Sequence, residues 1–435
     1  MKTPLARPAA AAPGIVLAGA RGRLLPASIP LRFFGAAVVF HVLAWVALAV
    51  GTMQGAGWHG GLGWPLAALH LVTLGTLMSA AIGASLQLLP VATRQPLQSH
   101  RLAAALWWGF TPGVVLLVLG MGLARPPWLA AGAALVIGAL LLHAVLLVAN
   151  LRAARGMPGV VLHGWGALAG LALLLASAAA LVLGWLGRPL IDRDSARALH
   201  LLAGVFGTMG LLAFGLSAIL LPMFALAPVP PLRGQLASGT AALAAISIGA
   251  AAAAGLAPLP LRAAALALGA LGVAIHLVQM QRTLAQGMRQ DLGLSLSMMR
   301  GGWAALVAAL VLAALQLVTG HGPSGHVVLV LLVGGWLTSF LFGVLQRILP
   351  FLVAMHCPPG RRAPTPSALT VQAPLRVHAV AHAAALALLL AGLLADEAGL
   401  LVSAAAVGAV GALAFGWFFA VLLRRWQRAL APVLR

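Results

Sequence analysis

Apolar runs of membrane-spanning length alternate along this chain with short polar breaks. Twelve such runs can be followed: residues 33–53, 67–92, 103–123, 127–151, 159–187, 197–227, 236–256, 261–282, 302–319, 324–353, 376–394 and 399–423. Roughly 20 apolar residues in α-helix cross a bilayer core, and each run meets or approaches that length. In hydrocarbon every backbone N–H and C=O needs a partner, which an α-helix supplies from within the segment. The pattern therefore predicts an all-α, polytopic membrane protein of about twelve helices. Composition agrees, with 62% hydrophobic and 7% charged residues.

Within this pattern three segments share one spacing. A glycine, seven residues, a second glycine, six residues and a proline occur at Gly75, Gly83 and Pro90. They recur at Gly207, Gly215 and Pro222, and at Gly335, Gly343 and Pro350. A histidine opens each segment: His70, His200 and His326. A period near 130 residues predicts three pseudo-repeats of four helices, about 31–155, 160–285 and 300–428, with the histidines on helices 2, 6 and 10. Residues 1–32 read as a cytoplasmic N-terminal tail, 33–425 as the membrane domain and 426–435 as a C-terminal tail. Small residues let membrane helices approach closely, so the glycines predict that helices 2, 6 and 10 meet near the centre of the bundle.

The net charge of +21 raises the question of nucleic acid. Its distribution answers it. With the N-terminus inside, outward loops carry only Arg125, Arg188, Arg193, Arg197 and Arg262 of the 26 basic residues. That asymmetry places both termini in the cytoplasm and makes the lipid bilayer, not nucleic acid, the partner. Heavy use of Ala, Leu and Arg suggests a bacterial inner-membrane protein. Cys357 is the only cysteine, so no intrachain disulfide or thiolate cluster is available. The five acids, Asp192, Asp194, Asp291, Asp396 and Glu397, lie in loops or at helix ends. Ion-coupled transporters commonly use intramembrane carboxylates, so a permease is disfavoured.

The ionisable groups left inside are histidines. His41, His143 and His276 lie deep, and His378 and His382 share a helix face four residues apart. A hydrogen bond to a neighbouring helix is the commonest role for any one of them. Imidazole also ligates haem iron, copper and zinc. Counted back from the shared prolines, the repeat histidines lie 20, 22 and 24 residues away. At about 100° per residue, His70 and His326 fall on equivalent faces and His200 on the opposite one.

These features resemble the catalytic subunit I of haem–copper oxidases. The stretch from His70 through Gly83 to Leu-Leu-Pro-Val is similar to that family's helix 2, which begins with a low-spin haem histidine. The stretch from His326 to Ile-Leu-Pro-Phe is similar to its helix 10. The resemblance implies one haem b between helices 2 and 10, with His70 and His326 as axial ligands. Departures are equally specific. Helix 7 has no histidine, the chain has no tyrosine, and the family's second helix-10 histidine is missing beside His326. A standard oxygen-reducing centre is not expected. The NnrS group, twelve-helix haem proteins of nitric oxide metabolism, is a second resemblance. The expected role is thus respiratory redox or nitric oxide metabolism, with a redox partner protein. The alternatives are a copper or zinc site of His70, His200 and His326, or a permease.

Overall fold

The computed structural model describes residues 23–53, 60–255, 258–289, 291–322, 325–356 and 364–430. Cys357, His59, most of the N-terminal tail and residues 431–435 lie outside them. Among the described residues twelve helices are long and apolar enough to cross a membrane. They are α1 Ser28–Met53, α2 Trp64–Ala92, α3 His100–Gly122, α4 Pro126–Arg152, α5 Pro158–Trp185 and α6 Arg193–Ala225. The second half comprises α7 Leu232–Ala253, α8 Leu259–Ala285, α9 Gly293–Thr319, α10 Gly325–Met355, α11 Gln372–Ala395 and α12 Ala398–Leu430. Among the described residues no strand occurs.

Several helices outrun their apolar segments. Helix α9 begins at Gly293 rather than 302, and α12 continues to Leu430 rather than 423. Hydropathy marks the hydrocarbon core, whereas a helix gains by keeping its backbone bonds through the interfacial zone. Polar side chains cap some of these ends. Ser99 Oγ accepts the Leu102 N–H ahead of α3, and Asp192 Oδ2 accepts the Ser195 N–H at the start of α6.

Helices α2, α6 and α10 each contain one π-helical stretch: Leu71–Met78, Ala203–Gly210 and Leu331–Thr338. Each begins four residues before the first glycine of the shared spacing. In α2 and α10 hydroxyls reach the carbonyl five residues back, Thr76 to Leu71 and Thr338 to Val333. A π turn widens the helix and frees such carbonyls. Pro90, Pro222 and Pro350 stand inside the last turns rather than ending their helices.

These three helices do meet. Leu77 of α2, Val205 and Phe214 of α6, and Val333, Trp336 and Leu337 of α10 share one buried cluster. The glycines serve another contact, which corrects the expectation drawn from them. A Cβ on Gly75 would fall 2.6 Å from Phe40 Cβ, and one on Gly83 would fall 3.1 Å from Phe33 Cβ, both on α1. Gly207 and Gly215 face Gly170 and His163 of α5, and Gly335 and Gly343 face Ala305 and Met299 of α9. Each glycine pair receives the preceding helix, while large side chains hold the three histidine-bearing helices together.

Candidate functional site

A cavity of about 510 Å³ opens between α1, α2, α10, α11 and α12. Its walls are mainly apolar, with Leu48, Leu69, Val72, Leu329, Val333 and Leu389 among them. Cofactor and ligand sites commonly measure roughly 300–1,000 Å³, so the volume suits a cofactor-sized molecule. Three histidines stand on the wall: His41, His326 and His382. Thr52, His326 and Asp396 lie near the helix ends that form one mouth, and His41, His382 and Thr338 lie deep in the helices.

His326 is thus the one sequence candidate on the cavity wall. It lies one residue into α10. On α2, Pro65, Ala68, Leu69 and Val72 face the cavity. His70 turns from that side toward α6, its ring centre 6.2 Å from that of His200 with 30° between the planes. Its Nδ1 donates to the Leu66 carbonyl at 3.0 Å. His200 Nδ1 is buried without a hydrogen-bond partner. The face count had set His200 apart from His70. The arrangement around the centre reverses that. Helices surrounding a common centre point equal local faces the same way round the ring, so it is opposite faces on neighbours that meet. His70 with His200 is therefore the pair in ring contact.

Elsewhere the interior is closed by aromatic packing. Trp336, only 1% exposed, lies against Phe206 and Phe214 of α6. Phe214 stacks almost parallel on His276 of α8 at 3.9 Å. His143 meets Ser85 Oγ at 3.4 Å, and His163 bonds the Gly159 carbonyl at 2.8 Å. These are packing roles.

The deep histidines were the residues that sequence reasoning did not assemble. His41 of α1 and His378 and His382 of α11 converge, with Phe342 4.5 Å from His41 and 4.7 Å from His378. The four-residue spacing of His378 and His382 was the available signal. Nothing in the sequence said that side chains of α1 and α11 meet.

No protein-family model and no curated protein matches this chain. Among solved structures, a cryo-EM structure of a haem–copper terminal oxidase dimer is similar, at a TM-score of 0.61 and 14% identity. The match covers 98% of this chain and 85% of that chain. At that identity the likeness speaks for architecture only. The described residues form a bundle of twelve membrane-length helices whose fold is similar to that of a haem–copper terminal oxidase chain.

Proposed function

We propose that this chain binds one haem b in the cavity between α1, α2 and α10–α12. Its role is in respiratory redox or nitric oxide metabolism, without a standard oxygen-reducing centre. The supporting observation is the cavity itself: cofactor-sized, mainly apolar and lined by imidazoles, in a fold similar to that of a haem–copper terminal oxidase. His326 is the ligand at the α10 end. His70 is its expected partner, and it reaches the cavity by turning its ring from His200 to the side of α2 that carries Leu69 and Val72. His41 and His382 lie deeper on the same wall, away from these ligands. When bound, the haem supplies one-electron chemistry. The protein supplies the imidazoles and a mainly apolar enclosure, levers that set a haem's potential. We place the protein in a bacterial inner membrane with both termini cytoplasmic, so that the cavity mouth faces outward toward a redox partner protein.

The test is the optical spectrum of protein purified in detergent from haem-replete cells. A Soret band is expected, lost in His326→Ala and His70→Ala while both variants still reach the membrane. Absence of the band in the unaltered protein rejects haem. A band that survives both substitutions rejects these ligands. The ring contact of His70 with His200 favours one second reading, a copper or zinc site at that end of the bundle. Bound metal without a Soret band, lost on His200→Ala, would support it.

A further inference from the structure

The deep end of the cavity is a cluster of three buried histidines. His41, His378 and His382 are at most 4% exposed, and their ring centres stand 5.8 to 6.5 Å apart. Each has one ring nitrogen without a hydrogen-bond partner: Nδ1 of His41, Nε2 of His378 and Nδ1 of His382. Leaving a buried polar atom unsatisfied is costly, because it gives up its bond to water and gains none. Three together on adjacent rings point to a ligand for which the fold keeps the place.

The opposite ring nitrogens tell what that ligand is. His378 Nδ1 lies 3.0 Å from the Gly411 carbonyl, which can only accept, so Nδ1 carries the hydrogen. In a neutral ring Nε2 is then a bare lone pair. The Ser339 hydroxyl has one hydrogen; with that hydrogen given to the Gly334 carbonyl at 3.3 Å, it accepts from His382 Nε2 at 2.8 Å. That makes His382 Nδ1 a second lone pair. With His41 beside them, these atoms form a spot that takes a cation. Among the described residues no three ligating side chains stand in metal-holding geometry. A proton needs only one lone pair.

Access comes from one side. His41 and His382 line the cavity, whereas Phe342 and Phe415, at most 1% exposed, close over His41 and His378. From His326 to Ser339, the partner of His382, is 13 residues along α10, roughly 20 Å at 1.5 Å per residue. The cluster is thus distinct from any iron held by His326. The other titratable groups on the cavity wall are His326 and Asp396, near its mouth. Against the cluster itself α10 sets Ser339 and Phe342 and α12 sets Gly411 and Phe415, while Val72 and Thr338 line the cavity beside it, none of them ionisable.

We propose that His41, His378 and His382 form a proton-binding site that exchanges with the face at which α10 begins. One proton from water in the cavity forms an N–H bond at Nδ1 of His382 or Nε2 of His378. The neighbouring imidazoles share the resulting single positive charge. Histidines inside membranes recur in proton relays. With no carboxylate in the cluster to fix the charge, the proton stays exchangeable. The site does not depend on haem.

The test is hydrogen–deuterium exchange at histidine ring carbons, read residue by residue by mass spectrometry. The full chain is used in lipid nanodiscs across pH 3–9. His382 and His41 should exchange with sigmoidal pH profiles. In His378→Gln the His382 midpoint should move by at least half a pH unit, while that of His163, outside the cluster, stays put. Ser339→Ala removes the hydroxyl's bonds to His382 Nε2 and to the Gly334 carbonyl and should also move the His382 midpoint. It serves as the reading if His378→Gln fails to fold. Val72→Trp, which fills the cavity, should slow exchange at His41 and His382 severalfold. Flat profiles at both residues, or a His382 profile indifferent to its neighbours, would overturn the proposal.

Discussion

His356, just beyond the end of α10, meets two carbonyl oxygens at once. Its Nδ1 is 2.8 Å from Leu352 O, and its Nε2 is 2.8 Å from Leu25 O. Leu25 is gripped twice, since its N–H also donates to Gln87 Oε1 at 3.3 Å. His356→Ala should raise amide exchange at residues 25–29 severalfold with helix content unchanged; unaltered exchange there would show that the bond anchors nothing. Asp192 gives a second residue-scale expectation. The Ser195 backbone N–H holds its carboxyl below the usual carboxylate range. A lowered folded value means that the cap is complete above the unfolded value of 3.8 and fades as pH falls through the folded one. Amide protection in the first turn of α6 should fall on acidification through that range, and Asp192→Asn, which also caps, should remove the dependence.

The contacts that decide stability at the level of elements are the glycine seats. A Cβ on Gly343 would stand 2.7 Å from both Met299 Cγ and the Ser295 carbonyl, and Ser295 Oγ donates to the Gly343 carbonyl at 2.7 Å. Gly170 is tighter, its Cβ falling 2.4 Å from the Gly207 backbone. Backbone cannot step aside as a side-chain tip can. Gly170→Ala and Gly343→Leu should therefore each cost on the order of 1–3 kcal/mol or more. Leu141→Ala and Leu413→Ala, at exposed positions on α4 and α12, should cost much less. Thermal unfolding in detergent ranks the four, and equal tolerance would remove the seats' importance. The α2–α4 link is polar instead. Asn150, 2% exposed, contacts Thr93 Oγ1 at 2.9 Å and donates to the Gln95 carbonyl at 3.0 Å.

For the whole molecule, orientation and internal symmetry are the open expectations. Basic residues crowd one set of loops, so a reporter fused after Arg435 should register as cytoplasmic. A periplasmic signal would invert the assignment and turn the cavity mouth inward. The three π stretches share one register against the glycine spacing, and each glycine pair seats the helix before it. Superposing residues 31–155, 160–285 and 300–428 should therefore bring Pro90, Pro222 and Pro350 together. Scatter among the three would leave only a local motif repeated on three helices.

Twelve apolar runs determined twelve helices, because hydrocarbon offers the backbone no partner outside its own segment. The recurring glycines likewise marked α2, α6 and α10 as helices approached closely, since their lack of a side chain acts through local geometry. Which neighbour approaches was beyond that local code. Phe40, Gly170 and Met299 occupy the seats because chain order places α1, α5 and α9 there. The histidines show the same division. Depth along a helix follows from residue count, so the sequence placed His70, His200 and His326 near one face and His41 deeper, and put His378 and His382 on one face of α11. Direction follows from how helices rotate about a shared centre. Only the tertiary structure turned His70 onto His200, left His326 on the cavity wall, and joined His41 to two histidines more than 300 residues away.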